Sequence, residues 1–204
     1  MTKSASSFAA VAVILSLTGI AAQAQEGPWL VRVRAVNLDS ANKDSTGLGL
    51  SVNNRTIPEV DISHFVTPNI AAELILTYPQ KHKLYSGSTE IGSLKHLPPT
   101  LSLQYHFSPT ATFRPYVGAG LNYTNFSAVN FVPAVQTALE PTIKYNSVGL
   151  SLQVGADIQV SKNLYVNLDV KKVQIGTTVY SKGAEAGKFK VDPLLVGLGL
   201  GMRF

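Results

Sequence analysis

The closing segment of the chain sets its polar and apolar residues in strict alternation. Leu194, Val196, Leu198, Leu200, Met202 and Phe204 share one face, while Leu195, Gly197, Gly199, Gly201 and Arg203 share the other. A period of two is the mark of a β-strand. An apolar face backed by glycines makes poor core for a water-soluble sandwich. It suits a strand that shows its large side chains to lipid and turns glycine toward a crowded, narrow lumen.

Seven earlier segments follow related patterns: residues 29–38, 56–66, 70–78, 99–107, 113–124, 147–159 and 164–171. In one of them Leu101, Leu103, Tyr105 and Phe107 oppose Thr100, Ser102, Gln104 and His106. The connections then sort by length. Residues 67–69, 108–111 and 161–163 are tight turns of standard turn residues, and the stretches 39–55, 79–98, 125–146 and 172–193 are long. Long and short alternate, which puts every long connection at one end and both termini at the other. An open sheet edge has no partner in hydrocarbon, so such a sheet must close on itself. The chain is therefore expected to be an all-β protein, an eight-stranded antiparallel up-and-down transmembrane β-barrel. Its short turns and termini are expected in the periplasm and its long loops outside a Gram-negative outer membrane. Tyr78, Tyr105, Phe107, Phe113, Tyr123 and Phe204 lie near strand ends, where aromatic girdles form. A soluble lipocalin-type barrel would reverse the pattern and place charge where these glycines stand.

Composition agrees. Charged residues make up 14% of the chain, against roughly a quarter in soluble domains. With no cysteine there are no disulfides or thiolate sites. The net charge of +5 comes from scattered lysines and arginines, so no nucleic-acid partner is expected. At the N-terminus Lys3 precedes an apolar stretch from Phe8 to Ile20, followed by Ala22-Gln23-Ala24. This predicts a cleaved signal peptide over residues 1–24 and a barrel domain over 25–204.

Four stretches carry a family likeness: Pro68 to Glu73, His96 to Leu101, Arg114 to Thr124 and the closing Gly201-Met202-Arg203-Phe204. In these the chain resembles the outer membrane protein W family of small barrels. The resemblance implies a narrow channel assisting passage of small hydrophobic or amphipathic molecules across the outer membrane. The alternative it leaves is a structural or receptor barrel whose outer loops bind a bacteriocin, phage or host surface without transport. The terminal aromatic resembles the signal read by the outer-membrane assembly machinery, implying that machinery and periplasmic chaperones as partners, besides outer-membrane lipids. Lys171 and Lys172 depart from the aromatic residues expected there, which would leave the passage without an aromatic gate or suit it to a more anionic cargo.

The strand assignments place Arg32, Arg34, Glu59, Asp61, Glu73, Asp157, Asp169 and Lys171 on the lumen face, where a mixture of signs should form an ion-pair plug, with an ion path as the alternative. Leu38, Leu48, Leu50, Phe131 and Leu139 lie on or beside the outer loops and are candidates for an apolar mouth, from which a ligand would leave sideways into lipid. His106 is also a lumen candidate, with Ser102 four residues before it on the same face. Two such residues fall short of a nucleophile, base and orienter, so no enzymatic activity, cofactor or metal is expected. His82 and His96 flank one outer loop and could approach each other, though loop histidines are expected to face solvent.

Overall fold

The computed structural model describes residues 27–204; the expected signal peptide lies outside them. The strands are β1 (Trp29–Asp39), β2 (Lys43–Asp44), β3 (Leu50–Val52), β4 (Arg55–Phe65), β5 (Ile70–Leu76), β6 (Gln80–Ser86), β7 (Thr89–Leu97) and β8 (Thr100–His106). They continue as β9 (Phe113–Phe131), helix α1 (Pro133–Leu139), β10 (Pro141–Ile143), β11 (Asn146–Gln159), β12 (Leu164–Val173), β13 (Gly176–Ser181), β14 (Ala184–Lys190) and β15 (Leu194–Arg203).

Eight of these close a ring in the order β1-β4-β5-β8-β9-β11-β12-β15 and back to β1, every neighbour antiparallel. Each alternating segment of the sequence supplies one stave. The outward residues are the apolar ones, with Val148 73% and Leu101 60% exposed, while inward Arg32 and Tyr116 are fully covered. In water this would be an inside-out protein. In a bilayer the exposed band is the buried one.

β1 and β15 form the closing seam. The Trp29 amide donates to the Phe204 carbonyl (3.0 Å) and the Phe204 amide donates back (2.9 Å). Above these bonds the glycines of β15 lie beside the arginines of β1. A Cβ on Gly199 would stand 2.1 Å from the Val33 carbonyl oxygen and 2.6 Å from Arg34 Cγ. The backbone oxygen has nowhere to go. Gly199→Ala should cost about 1–3 kcal/mol of stability by overpacking, read as a lower urea midpoint for the barrel folded in lipid vesicles.

The long connections are not bare loops. β6 and β7 prolong β5 and β8 upward as a hairpin, β7 pairs with the upper part of β9, and β3 adds to β6. Opposite them, β10-β13-β14-β2 form a separate four-stranded sheet. Lys182 (φ 48°) and Gly183 (φ 80°) join β13 to β14, both at the positive φ that a type I′ hairpin turn requires. Facing side chains fill the space between the two upper sheets. Leu94, Phe126, Val179 and Phe189 join Leu38 and Ile57 from the top of the barrel in one apolar core.

Candidate functional site: a plugged lumen under an apolar cap

At membrane depth the lumen is filled. Arg32 makes a two-pronged contact with Asp157 (Nη2 to Oδ2 2.6 Å, Nε to Oδ1 2.9 Å) and reaches Asp61 with Nη1 at 2.9 Å. Arg34 Nη2 lies 2.7 Å from Asp61 and 3.0 Å from Glu59. Lys171 Nζ lies 3.3 Å from Glu59 and 3.6 Å from Asp169. Neutral groups complete the shell: Gln153 donates to Glu73 (2.7 Å), Tyr116 to Asp169 (2.8 Å), and Asn167 to Asp157 (2.9 Å). Paired and hydrogen-bonded, these charges tolerate a site that water barely reaches. Glycine provides the room, since a Cβ on Gly155 would meet Tyr116 Oη at 2.4 Å. All eight charged lumen residues named from the sequence meet here, joined by Tyr116, Gln153, Asn167 and Ser63. Tyr116 and Gln153 fall on the inner face by the alternation of their strands, but no local signal in the sequence marks them as partners of the carboxylates.

Above the plug the wall turns apolar. Leu38, Ile57, Val173, Ile175 and Leu195 surround a cavity of about 20 Å3, floored by Glu59 and Lys171. That is space for roughly one water. Of the five residues expected at the mouth, Leu38 and Leu50 belong to the apolar core. Phe131 is half-buried at the top of β9, beside Gly92. Leu48 and Leu139 do not line the interior: Leu48 sits exposed between Gly47 and Gly49, both at positive φ, and Leu139 on a helix with no buried residue.

One side of the barrel is weakly laced. The β5–β8 ladder ends at Ile75↔Thr100 and the β6–β7 ladder begins at Gln80↔His96. Pro98 and Pro99 fall between them and have no amide to donate. Asn122 covers the break, its Nδ2 donating to the carbonyls of Pro98 and Pro99 (3.1 Å each) and to Thr100 Oγ1 (2.9 Å). Outside, a groove of about 330 Å3 faces lipid and is lined by Leu74, Pro99, Leu101, Leu121 and Val148. Thr100 and Asn122 line both this groove and the interior cavity. The two spaces back onto each other across them.

The histidines separate. His106 is buried in the lumen between the rings of Phe65 and Tyr116 (centroids 4.8 and 5.0 Å away), with Nε2 3.1 Å from Gln104 Oε1. His82 and His96 do not face solvent; they turn into the upper hairpin and stack, ring centroids 4.7 Å apart. They point inward because β6 and β7 bury Gln80, His82, Leu94 and His96 on their inner face. His82 Nδ1 meets the Asn53 carbonyl at 2.9 Å. Burial, and secondarily the neighbouring His82 ring, holds His96 down to about 3, and burial also lowers His82. Lys171 points into the lumen, whereas Lys172 faces outward and bonds the Asp192 carbonyl.

A family model described as the OmpW family matches residues 25–204. The chain is 40% identical over 187 residues to an uncharacterized outer-membrane protein of Sinorhizobium fredii, covering 87% of this chain and 80% of that protein. It is 34% identical to outer membrane protein W of Escherichia coli K12, covering 96% of this chain and 97% of the relative. The crystal structure of the outer membrane protein OprG from Pseudomonas aeruginosa shares the fold, with a TM-score of 0.74 and 21% identity over 88% of this chain and 97% of that one. The barrel lies in the outer membrane with periplasmic termini and the upper sheets outside, as the alternation of short turns and long connections requires. Closed by eight staves and matched along its whole barrel, this chain belongs to the OmpW family.

Proposed function

We propose that the protein passes small hydrophobic or amphipathic molecules from outside into the outer membrane by a sideways route. A solute enters between the two upper sheets, meets the apolar wall of Leu38, Ile57 and Ile175, and is stopped below by the ion pairs. It then leaves through the wall at Pro98–Pro99 into the lipid-facing groove. The back-to-back placement of cavity and groove at Thr100 and Asn122 carries this reading. The apolar core must part for a solute to pass, and the small cavity is the closed state of that path. A straight aqueous path would have to break the charge network, whose members are almost fully buried. Residues 1–24 are proposed to direct secretion and be removed, and Phe204 to be read by the assembly machinery after delivery by periplasmic chaperones.

Uptake of a fluorescent polycyclic aromatic by cells with and without the protein tests the route. Pro98→Ala with Pro99→Ala returns two amide donors to the weak wall, and at about 1 kcal/mol per added hydrogen bond should slow uptake roughly fivefold or more. Ion conductance in planar bilayers should stay low in both forms. Uptake that ignores the protein, or is unchanged in the double variant, overturns the sideways route.

A further inference from the structure

The lysines that look scattered in the sequence are gathered by the fold. Residues 39–55, 77–99, 125–146 and 172–193, all at the outer end, hold ten lysines and arginines against six acids. Four of the lysines share the outer face of the sheet β10-β13-β14-β2. Lys188 and Lys190 are two apart on β14, opposite Thr178 and Gly176 of β13. On the far edge of β13 the Lys144 amide donates to the Thr178 carbonyl (2.9 Å), placing Lys144, Thr178 and Lys188 in one row. Lys43 of β2 stands directly opposite Lys190.

Like charges placed directly across a ladder repel. Among the described residues no carboxylate lies within ion-pair distance of any of these four ammonium groups. Lys144, Lys188 and Lys190 surround an open cleft of about 210 Å3, with Ser147 and Thr178 supplying hydroxyls and Gly176 leaving the floor low. The foot of the cleft is Val148, the most lipid-exposed of the large apolar residues. Tyr123 and Tyr145, both exposed, flank that level, and the Tyr123 hydroxyl donates to Asn146 at 2.9 Å. Lys144 lies four positions before Val148, across the two-residue break between β10 and β11, a separation of at most roughly 13 Å. The ammonium groups therefore stand at headgroup depth, above acyl chains that lie against Val148.

We infer that this cleft is a binding site for a net-anionic, phosphomonoester-bearing lipid headgroup of the outer leaflet, as distinct from a zwitterionic phosphodiester, with Lys144, Lys188 and Lys190 holding the phosphate and Lys43 adding to their field. The occupant is a lipid rather than a free anion because the cleft opens downward onto the lipid-facing wall. The site lies on the outside of the barrel and does not depend on whether a solute crosses it.

The full chain in phosphatidylcholine vesicles doped with diphosphoryl lipid A is the test, with dephosphorylated lipid A as the matched control. Lipid retained after gentle extraction is read by native mass spectrometry. Wild-type protein should retain the phosphorylated form and lose the other. Replacing Lys144→Gln, Lys188→Gln and Lys190→Gln together should reduce retention by about tenfold or more, given the worth of each cation near an anionic surface. The corresponding triple arginine variant should keep it. Neutralising Lys83, Lys95 and Lys182 instead should change retention by less than about twofold, since screening confines the field to roughly a Debye length. Equal retention of both lipids by the wild type overturns the site even if the glutamine variant fails to fold. So does equal loss in the control variant, or displacement of the lipid by millimolar inorganic phosphate.

Discussion

Arg32→Met should lower the urea midpoint of the vesicle-bound barrel by a large margin, a loss of about 3–5 kcal/mol. The guanidinium touches Asp157 twice, Asp61 once and Ser63 Oγ at 3.1 Å, and its side chain is wholly covered. The cluster already sets five carboxylates, Glu59, Asp61, Glu73, Asp157 and Asp169, against Arg32, Arg34 and Lys171. Methionine fills much of the same volume but leaves Asp157 and Asp61 without their cation. The cost is an uncompensated buried charge more than a lost contact. Pairing the change with Asp157→Leu should recover a substantial part of it, because both members of the tightest contact are then removed together. A midpoint that stays put in the single variant would mean that the charges are not packed dry.

Acidification should loosen the upper hairpin while leaving the barrel closed. His96 is neutral in its buried setting and takes a proton only near pH 3, against 6.5 for a free ring. The open hairpin therefore binds the proton first. Above pH 6.5 both forms are neutral and the full stability of the hairpin is present. Between pH 6.5 and about 3 the open form is progressively favoured, by on the order of 4–5 kcal/mol at the lower end. His82, also depressed, adds in the same direction, and Arg55 opposes its charging. Faster hydrogen exchange of the β6 and β7 amides at pH 4 than at pH 7, once corrected for intrinsic rates, is the expected observation. His96→Leu should flatten most of that dependence. Unchanged protection at pH 4 in the native protein would contradict the buried, unprotonated pair.

The eight staves were legible because lipid and lumen impose opposite demands on neighbouring residues. Leu101 against Ser102 and Val154 against Gln153 carry the contrast without help from context. The upper sheets offer no such contrast. Their outer face meets water and their inner face is a mixed one, so Gln80 and His82 sit inward where a pattern reader expects apolar residues. The helix α1 buries nothing and leaves no periodic trace. In the lumen, sequence indicates which charges face in but not which meet, because partners are set by the stagger of the barrel. Arg32 finds Asp157 across 125 positions of chain. The gathered lysines were hidden for the same reason, since Lys144 and Lys188 become neighbours only through Thr178.

The seam has a bearing on how such a molecule is made. Both arginines ride on β1, the first stave, and the glycines that admit their stems ride on β15, the last. A sheet one stave short would hold two bare edges and two guanidinium groups toward hydrocarbon, each prohibitive there. Such a sheet is strongly disfavoured in the bilayer, so insertion should be coupled to closure of the ring and the growing sheet sheltered until its final strand arrives.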